Sequence, residues 1–277
     1  MYLYNFETFT TPCELHIEAH TQSEADNAAQ TIFFHTKQFE HRYSYFSKTS
    51  EIYAINHRET NTLNISDELT GILQMAIFYK RITQGVFDVA LSGTLKASLK
   101  APTFEEYTQQ RKELLQFASL EHVTLVGNCL SFSNDFTKID LGGIVKEYAV
   151  DQAVLQLQSL GIPSALINFG GDISAYGSCH DLPWKIGIED PVSSDMNLIE
   201  VELHDQSLCT SGHSKRYTTI EDQNITHIVG ASQNIQQYTQ VSIIAPTTLD
   251  AGIWSTALLI NPDLKLPPHL QLIYGLQ

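Results

Sequence analysis

The stretch DLGGIVKEYAVDQAVLQLQSLGIPSALINFGGDISAYG, residues 140–177, decides the fold. Its first half carries apolar residues on one broad side from Ile144 to Leu160, which predicts a helix that Gly161 ends. The run SALINF that follows predicts a buried strand. A Gly-Gly pair stands at each end of this helix–strand unit, and each pair lies beside an aspartate. Such glycines indicate either tight turns or close approach of a ligand to the backbone.

The rest of the chain divides into a helix-rich N-terminal half and a strand-rich C-terminal half. Helices are predicted over residues 22–46, from the N-cap Ser66 to Gly85, after the capping box Thr103–Glu106, and over 248–260. Strands are predicted for CELHIEAH, WKIGIED, LIEVELH and TQVSIIAP, and HVTLVGNCLSFS predicts a hairpin. The run GVFDVALSGTLKAS has no clear period and predicts an ordered loop. The fold class is therefore α+β, in one domain over residues 1–277.

The charge balance limits the partners. The chain carries 16 basic and 31 acidic residues, a formal net charge of −15, which argues against nucleic acid or an anionic membrane as a general partner. The four cysteines are far apart and predict free thiols in a reducing compartment. The N-terminus shows no signal-peptide pattern, and no apolar run reaches the ~18 residues of a membrane span. We expect a cytoplasmic protein, or a periplasmic one if an export signal or lipobox was removed.

The first glycine pair precedes a helix whose free N–H groups and dipole favour an anion. Gly142 and Gly143 would admit a phosphate there, with Lys146 projecting nearby. The alternative is a tight strand-to-helix turn with Lys146 as a solvated surface charge.

Two further loops could likewise be either a ligand site or a structural turn. Gly170, Gly171 and Asp172 end the strand SALINF and could accept a ligand against the backbone or form a plain turn. Thr210, Ser211 and Gly212 are small enough to admit a ligand. Each signal is weak alone, but their order along the chain is informative.

That order resembles the ApbE-type FAD:protein FMN transferases. The motifs that carry the resemblance occur between about residues 9 and 260, and they are FTTPCELHI, FSKTSEIYAIN, GVFD, DLGGIVKEYAVD, INFGGDISAYG, CTSGHSKRY, THIV and APTTLDAGIWSTALLI. The resemblance implies a T-fold-like α+β core with a mostly antiparallel sheet. It also implies an enzyme that binds FAD and Mg²⁺, moves FMN to a threonine of a target flavoprotein and releases AMP, which is phosphoryl transfer.

The resemblance assigns roles residue by residue. It implies that FAD contacts the three glycine-rich motifs, namely Asp140, Gly142, Gly143, Lys146, Gly170, Gly171, Asp172, Thr210, Ser211 and Gly212. It implies that the backbone carbonyl of Gly143 and the side chain of Thr256 help to hold the metal. His227 would orient or deprotonate the acceptor hydroxyl, unless it is a structural histidine at a strand end.

Three departures from the family pattern fall at this site. Gly252 stands where the family has an acidic metal ligand, four residues before Thr256. The nearest acid, Asp250, could replace it only if the helix began after Asp250. Gly230 replaces a second acid, and Glu147 stands where glycine is usual. Glu147 could supply a relocated metal ligand or could repel a diphosphate.

Four functions remain compatible with these residues. The first is an active transferase with a rearranged Mg²⁺ site, in which Asp250 or Glu147 is the acid. The second is a metal-independent protein that carries or senses FAD. The third is a structural relic without a nucleotide. The fourth is an FAD pyrophosphatase in which water replaces the threonine. We take the first as the prediction.

Overall fold

A computed structural model describes residues 1–190, 197–212, 217–226 and 239–276. The strands in these ranges are β1 (Tyr2–Thr8), β2 (Thr11–Glu18), β3 (Thr62–Asn64), β4 (Val123–Val126), β5 (Cys129–Phe132), β6 (Ser164–Phe169), β7 (Asp172–Tyr176), β8 (Trp184–Glu189), β9 (Asn197–Leu203), β10 (Gln206–Gly212), β11 (Tyr217–Ile220), β12 (Gln223–Thr226), β13 (Gln240–Ala245) and β14 (Gln271–Leu276). The α-helices are α1 (Gln22–Tyr43), α2 (Glu51–Asn56), α3 (Asp67–Ile82), α4 (Val89–Leu95), α5 (Phe104–Leu115), α6 (Val145–Ser159) and α7 (Thr248–Ile260).

Seven strands form the central sheet in the order β1-β2-β6-β7-β10-β13-β14, and every neighbouring pair is antiparallel. The chain enters this sheet through the β1–β2 hairpin and leaves it for most of the helices before returning with β6. The prediction of an α+β fold with a mostly antiparallel sheet is confirmed.

Helices cover one face of the sheet. The buried apolar residues of α1 and α6 pack on the inward residues of β2 and β6, such as Leu15, Ile17 and Ile167. Helix α7 packs next to α6 over β10 and β13, where Cys209 and Ile243 meet it. The β8–β9 hairpin covers the opposite face. Because side chains alternate along a strand, each residue of β7 or β10 faces either the helices or that hairpin.

The sequence predicted most of these elements. Ser66 and Thr103 cap α3 and α5 by accepting the N–H groups of Leu69 and Glu106. The hairpin of β4 and β5 turns at Gly127, which has a φ of 55°. The helix over residues 248–260 is present as α7. The strands of the C-terminal half are also present.

The prediction of a loop for GVFDVALSGTLKAS is wrong. Residues Val89–Leu95 form α4, and a 3₁₀ helix follows over Lys96–Lys100. Asp88 caps α4 by accepting the N–H of Ala90 at 2.8 Å. Nearly every residue of α4 is buried, so the helix has no polar face and therefore no amphipathic period in the sequence.

Two further expectations concern composition. Cys13, Cys129, Cys179 and Cys209 are free thiols, as predicted. Among the helices that the structure describes, none has the length and apolar character to cross a membrane.

Candidate functional site

The turn before α6 lies open to solvent. Gly142 is exposed and Gly143 is half-buried. The N–H of Gly142 donates to Asp140 Oδ1 at 3.0 Å, and the other carboxylate oxygen of Asp140 pairs with Lys96. No side chain of the described residues caps the amino end of α6. The N–H of Val145 donates to the Leu141 carbonyl at 2.9 Å, so this end presents the next N–H groups of the first turn and a positive dipole beside the exposed Gly142.

Lys146 projects from the first turn of α6 toward the sheet. Its Nζ pairs with Asp172 of β7 and donates to the carbonyl of Phe169 at 3.2 Å. The exposed fractions of the two side chains are 17% for Lys146 and 7% for Asp172. The alternative that Lys146 is a solvated surface charge is wrong, because the ion pair is mostly buried.

Gly170 and Gly171 form the two-residue turn between β6 and β7. Their φ values of 63° and 95° lie in the left-handed region, which residues other than glycine rarely adopt. A Cβ atom on Gly170 would also collide with Oγ1 of Thr11. Backbone geometry therefore accounts for this glycine pair without a ligand, and its contact with FAD stays a prediction.

The third predicted loop lies on β10, where neighbouring residues face opposite sides of the sheet. Ser211 faces the helices, and its Oγ hydrogen bonds with the hydroxyls of Ser255 at 2.8 Å and Thr256 at 2.9 Å. Thr210 hydrogen bonds with Ser242 of β13 at 2.8 Å instead. The structure therefore brings Ser211 and Thr256 together and turns Thr210 away from them. Gly212 follows as the last described residue of this strand.

Asp250 does not reach Thr256. It could replace the missing acid only if α7 began after it, whereas α7 begins at Thr248. The Asp250 carboxylate accepts from Thr247 Oγ1 at 3.0 Å and from Tyr79 Oη at 2.7 Å. Asp250 thus belongs to the capping of α7 and its contact with α3, about 120° around the helix from Thr256.

Gly252 lies directly against Glu147. A Cβ atom built on Gly252 would lie 2.5 Å from Cγ and 3.2 Å from Oε1 of Glu147, so the side chain from α6 fills the space beside α7. The residue Glu147 is 7% exposed. Its Oε2 is buried and has no hydrogen-bond partner among the residues that the structure describes. A buried carboxylate oxygen without a donor is costly, so this contact requires an explanation.

Asp151 links the same two helices. Its carboxylate oxygens accept the N–H groups of Thr248 and Leu249, at 2.7 and 3.0 Å, and so cap α7 from α6. Burial raises the pKa of Asp151 to about 6, although the two backbone donors lower it. The carboxylate therefore fixes the packing of α6 against α7 beside Glu147.

Sequence reasoning missed several of these contacts. Lys96 lies in the segment without a clear period, and its pairing with Asp140 joins two motifs that are 44 residues apart. Asp151 closes the quoted run DLGGIVKEYAVD, but only the fold shows that it caps α7. His227 and Gly230 lie outside the described residues. Within the described ranges no group of three or more His, Cys, Asp or Glu residues could hold a metal.

The arrangement suits an anionic ligand with a hard cation. The helix-facing side of the sheet carries the mostly buried Lys146 and the hydroxyls of Ser211 and Thr256. It also carries a helix terminus without a side-chain cap and a carboxylate oxygen without a donor, both judged among the described residues. N–H groups and a lysine bind phosphate, whereas carboxylate and hydroxyl oxygens are ligands for Mg²⁺. These two kinds of group together are what a nucleotide diphosphate with its metal requires.

Comparison with proteins of known function identifies relatives. A Vibrio cholerae protein named FAD:protein FMN transferase is 29% identical over 197 residues, which span 67% of this chain and 58% of that protein. A Haemophilus influenzae protein of the same name is 26% identical over 78% of this chain and 67% of its own length. The chain therefore spans well under two thirds of the Vibrio cholerae relative.

Solved structures share the fold. The ApbE protein of Thermotoga maritima superposes with a TM-score of 0.84 at 22% identity, over 94% of this chain and 86% of that one. The flavin transferase ApbE from Vibrio cholerae superposes with a TM-score of 0.78 at 21% identity, over 99% and 97% of the two chains. The model of the ApbE family matches residues 9–270, almost the full length, and the chain therefore belongs to the ApbE family.

Proposed function

We propose that this protein is an FAD:protein FMN transferase that acts as a single domain. The hydroxyl oxygen of an acceptor threonine attacks the FMN phosphorus of FAD and forms a new P–O bond. The bond from that phosphorus to the bridging oxygen of the diphosphate breaks, and AMP leaves with the bridging oxygen. The hydroxyl proton passes to a base. Membership of the ApbE family over residues 9–270 is the observation that carries this proposal.

The geometry supports a diphosphate at the amino end of α6. The uncapped N–H groups and the dipole of this helix favour an anion, and Gly142 leaves the approach from solvent open. Lys146 lies in the first turn of the helix, and its charge is held toward the sheet by Asp172. The N–H groups and the dipole position the diphosphate and offset its charge, which is the main contribution a protein makes to phosphoryl transfer, whereas the charge of Lys146 is shared with Asp172.

The remaining assignments extend this proposal. His227 is the proposed base for the acceptor hydroxyl. Bound Mg²⁺ would polarise the diphosphate and favour departure of AMP. The Gly143 carbonyl and Thr256 would hold it, and the Ser211 hydroxyl lies 2.9 Å from that of Thr256. Asp250 is not among these proposed metal ligands, because its carboxylate accepts hydrogen bonds from Thr247 and Tyr79.

The four free thiols support placement in a reducing compartment. The acceptor is proposed to be a flavoprotein with an accessible threonine.

Titration with FAD, with and without Mg²⁺, followed by chromatography of the nucleotides, tests the function. Binding of FAD and Mg²⁺-dependent release of AMP, with FMN retained on an acceptor protein that contains a threonine, is the expected result. Release of free FMN with AMP would instead identify a pyrophosphatase. Binding that ignores Mg²⁺ and leaves FAD intact would identify a carrier or sensor. Absence of binding would contradict the proposal.

A further inference from the structure

One carboxylate in the described part of the molecule is buried without a compensating charge or donor. Glu147 is 7% exposed, and its Oε2 has no hydrogen-bond partner in that part of the chain. Lys146, the cation next to it in sequence, is already paired with Asp172. A charged oxygen in this position is stable only if something outside the described residues neutralises it.

The fold makes room for this side chain. Glu147 reaches from α6 onto α7 at Gly252, where a Cβ atom would lie 2.5 Å from its Cγ. Any residue larger than glycine at position 252 would therefore displace the carboxylate. The pair forms a matched contact in which one helix supplies the acid and the other leaves space for it.

The groups around the carboxylate are oxygen ligands. Thr256 lies four residues after Gly252, on the same face of α7 and about 6 Å along it. Its hydroxyl and that of Ser211 lie 2.9 Å apart, and both residues are half-buried. Both residues are therefore more exposed to solvent than Glu147, which is 7% exposed. The neighbouring Cys209 adds no charge, because burial, and then the Glu147 carboxylate, raise the pKa of its thiol well above its usual value.

We propose that Glu147 is the carboxylate ligand of a hard divalent cation held between α6 and α7. The hydroxyls of Thr256 and Ser211 are the proposed neighbouring oxygen ligands. One carboxylate, hydroxyl oxygens and a substrate phosphate form the kind of ligand set that Mg²⁺ accepts. The inference rests on the proposed function, and it explains how a family member with Gly252 keeps an acid at this place. The acid has moved to the facing helix.

Manganese binding tests this directly, because Mn²⁺ shares the ligand preference of Mg²⁺ and is visible by electron paramagnetic resonance. The full chain is titrated with Mn²⁺, with and without FAD. Glu147→Gln keeps the shape and removes the charge, and we expect it to weaken Mn²⁺ binding at least about tenfold. Asp250→Asn is the matched control on α7, and it should bind Mn²⁺ within about twofold of the parent protein.

An exchange variant provides the second test. Glu147→Gly combined with Gly252→Asp moves the carboxylate to α7, and it should recover Mn²⁺ affinity to within about tenfold of the parent. Glu147→Gly alone should bind as weakly as Glu147→Gln. If Glu147→Gln is poorly folded by circular dichroism, the exchange variant and Glu147→Gly decide the matter.

Three results would overturn the inference, and none depends on turnover. They are unchanged Mn²⁺ affinity in Glu147→Gln, failure of the exchange variant to bind while it remains folded, and absence of Mn²⁺ binding to the parent protein. Nucleotide chromatography on the same samples separates the two proposals. Mn²⁺ binding that depends on Glu147, without cleavage of FAD, would contradict the transferase and leave the metal site standing. Cleavage of FAD by a protein whose Mn²⁺ binding does not depend on Glu147 would contradict the metal site and leave the transferase standing.

Discussion

Three buried carboxylates and one half-buried carboxylate lie near the amino ends of α6 and α7, and they differ in how their charge is compensated. Asp140 and Asp172 pair with lysines, Lys96 and Lys146. Asp151 accepts two backbone N–H groups of α7. Glu147 has no such partner for Oε2 among the described residues, and this difference is what assigns it to a cation. At the scale of single residues, the site is therefore distinguished by the one carboxylate among them that lacks a partner in the described part of the chain.

Asp151 makes stability depend on pH. Its pKa is raised from 3.8 to about 6 in the folded protein, so the folded state binds the proton more tightly than the unfolded state between these values. The free energy of unfolding contributed by this group therefore falls as pH rises from 4 to 6, by about 3 kcal/mol. Asp151→Asn should remove this slope. Urea unfolding of both proteins at several pH values measures it.

The comparison of slopes, and not of absolute stability, is decisive, since asparagine also loses one acceptor for the α7 N–H groups. Asp263→Asn on the surface serves as the control. A difference between parent and Asp151→Asn that stays constant from pH 4 to 6 would contradict the raised pKa.

The Lys146–Asp172 pair predicts a strong energetic coupling. Replacing Lys146 by alanine leaves Asp172 as an uncompensated buried charge, which costs about 3–5 kcal/mol. Lys146→Ala with Asp172→Asn should cost less than the sum of the single changes, by at least about 1 kcal/mol. A double-mutant cycle of chemical unfolding measures this coupling.

The exposed pair of Lys185 and Glu200 on the β8–β9 hairpin is the matched control. Its side chains are 59% and 61% exposed, so its coupling should stay below about 1 kcal/mol. Equal coupling in the two cycles would show that burial does not strengthen the Lys146–Asp172 pair.

At the scale of elements, α4 connects the candidate site to the rest of the helices. Gly93 of this helix approaches the backbone of residues 138–140, and Tyr45 donates its hydroxyl to the Gly93 carbonyl at 3.0 Å. Lys96 follows directly after α4 and reaches Asp140. The position of α4 therefore sets the position of the ion pair at the start of the α6 turn.

Gly93→Ala tests this packing. A Cβ atom at position 93 would lie 2.5 Å from the Lys138 carbonyl oxygen and 2.6 Å from the Ile139 carbonyl carbon, and backbone atoms cannot rotate away. We expect a loss of about 1–3 kcal/mol in the free energy of unfolding. Gly71→Ala in α3 is the matched control, since it has open space and should gain about 0.5–1 kcal/mol. Thermal unfolding of the three proteins shows whether the signs differ.

Local patterns in the sequence were sufficient where an element has a cap and a polar face. Ser66 and Thr103 predicted the starts of α3 and α5 because capping is a local interaction. Helix α4 was missed because burial on all sides removes the period. The contact of Glu147 with Gly252 joins residues 105 positions apart, and no local pattern encodes it. The sequence identified both residues as unusual, but only packing showed that they compensate each other.

At the scale of the whole molecule, the order of the sheet explains why distant motifs converge. Strands β6, β7 and β10 are neighbours at its centre, and α6 and α7 pack side by side over them. Motifs from residues 140–172, 211 and 252–256 therefore meet on the helix-covered face. The β8–β9 hairpin closes the other face and leaves that side without a role in the proposed site.

The overall charge predicts how FAD associates. The protein carries a formal net charge of −15, and the diphosphate of FAD is also anionic, so their long-range interaction is repulsive. Raising NaCl from 10 to 150 mM shortens the screening length from about 30 to about 8 Å. The association rate for FAD should therefore rise several-fold, and Mg²⁺ at matched ionic strength should raise it further by neutralising the diphosphate. Stopped-flow measurement of flavin fluorescence gives the rate, and uncharged riboflavin, whose rate should not depend on salt, is the control. An association rate for FAD that falls with salt would show that the local field of Lys146 and the α6 terminus outweighs the charge of the whole molecule.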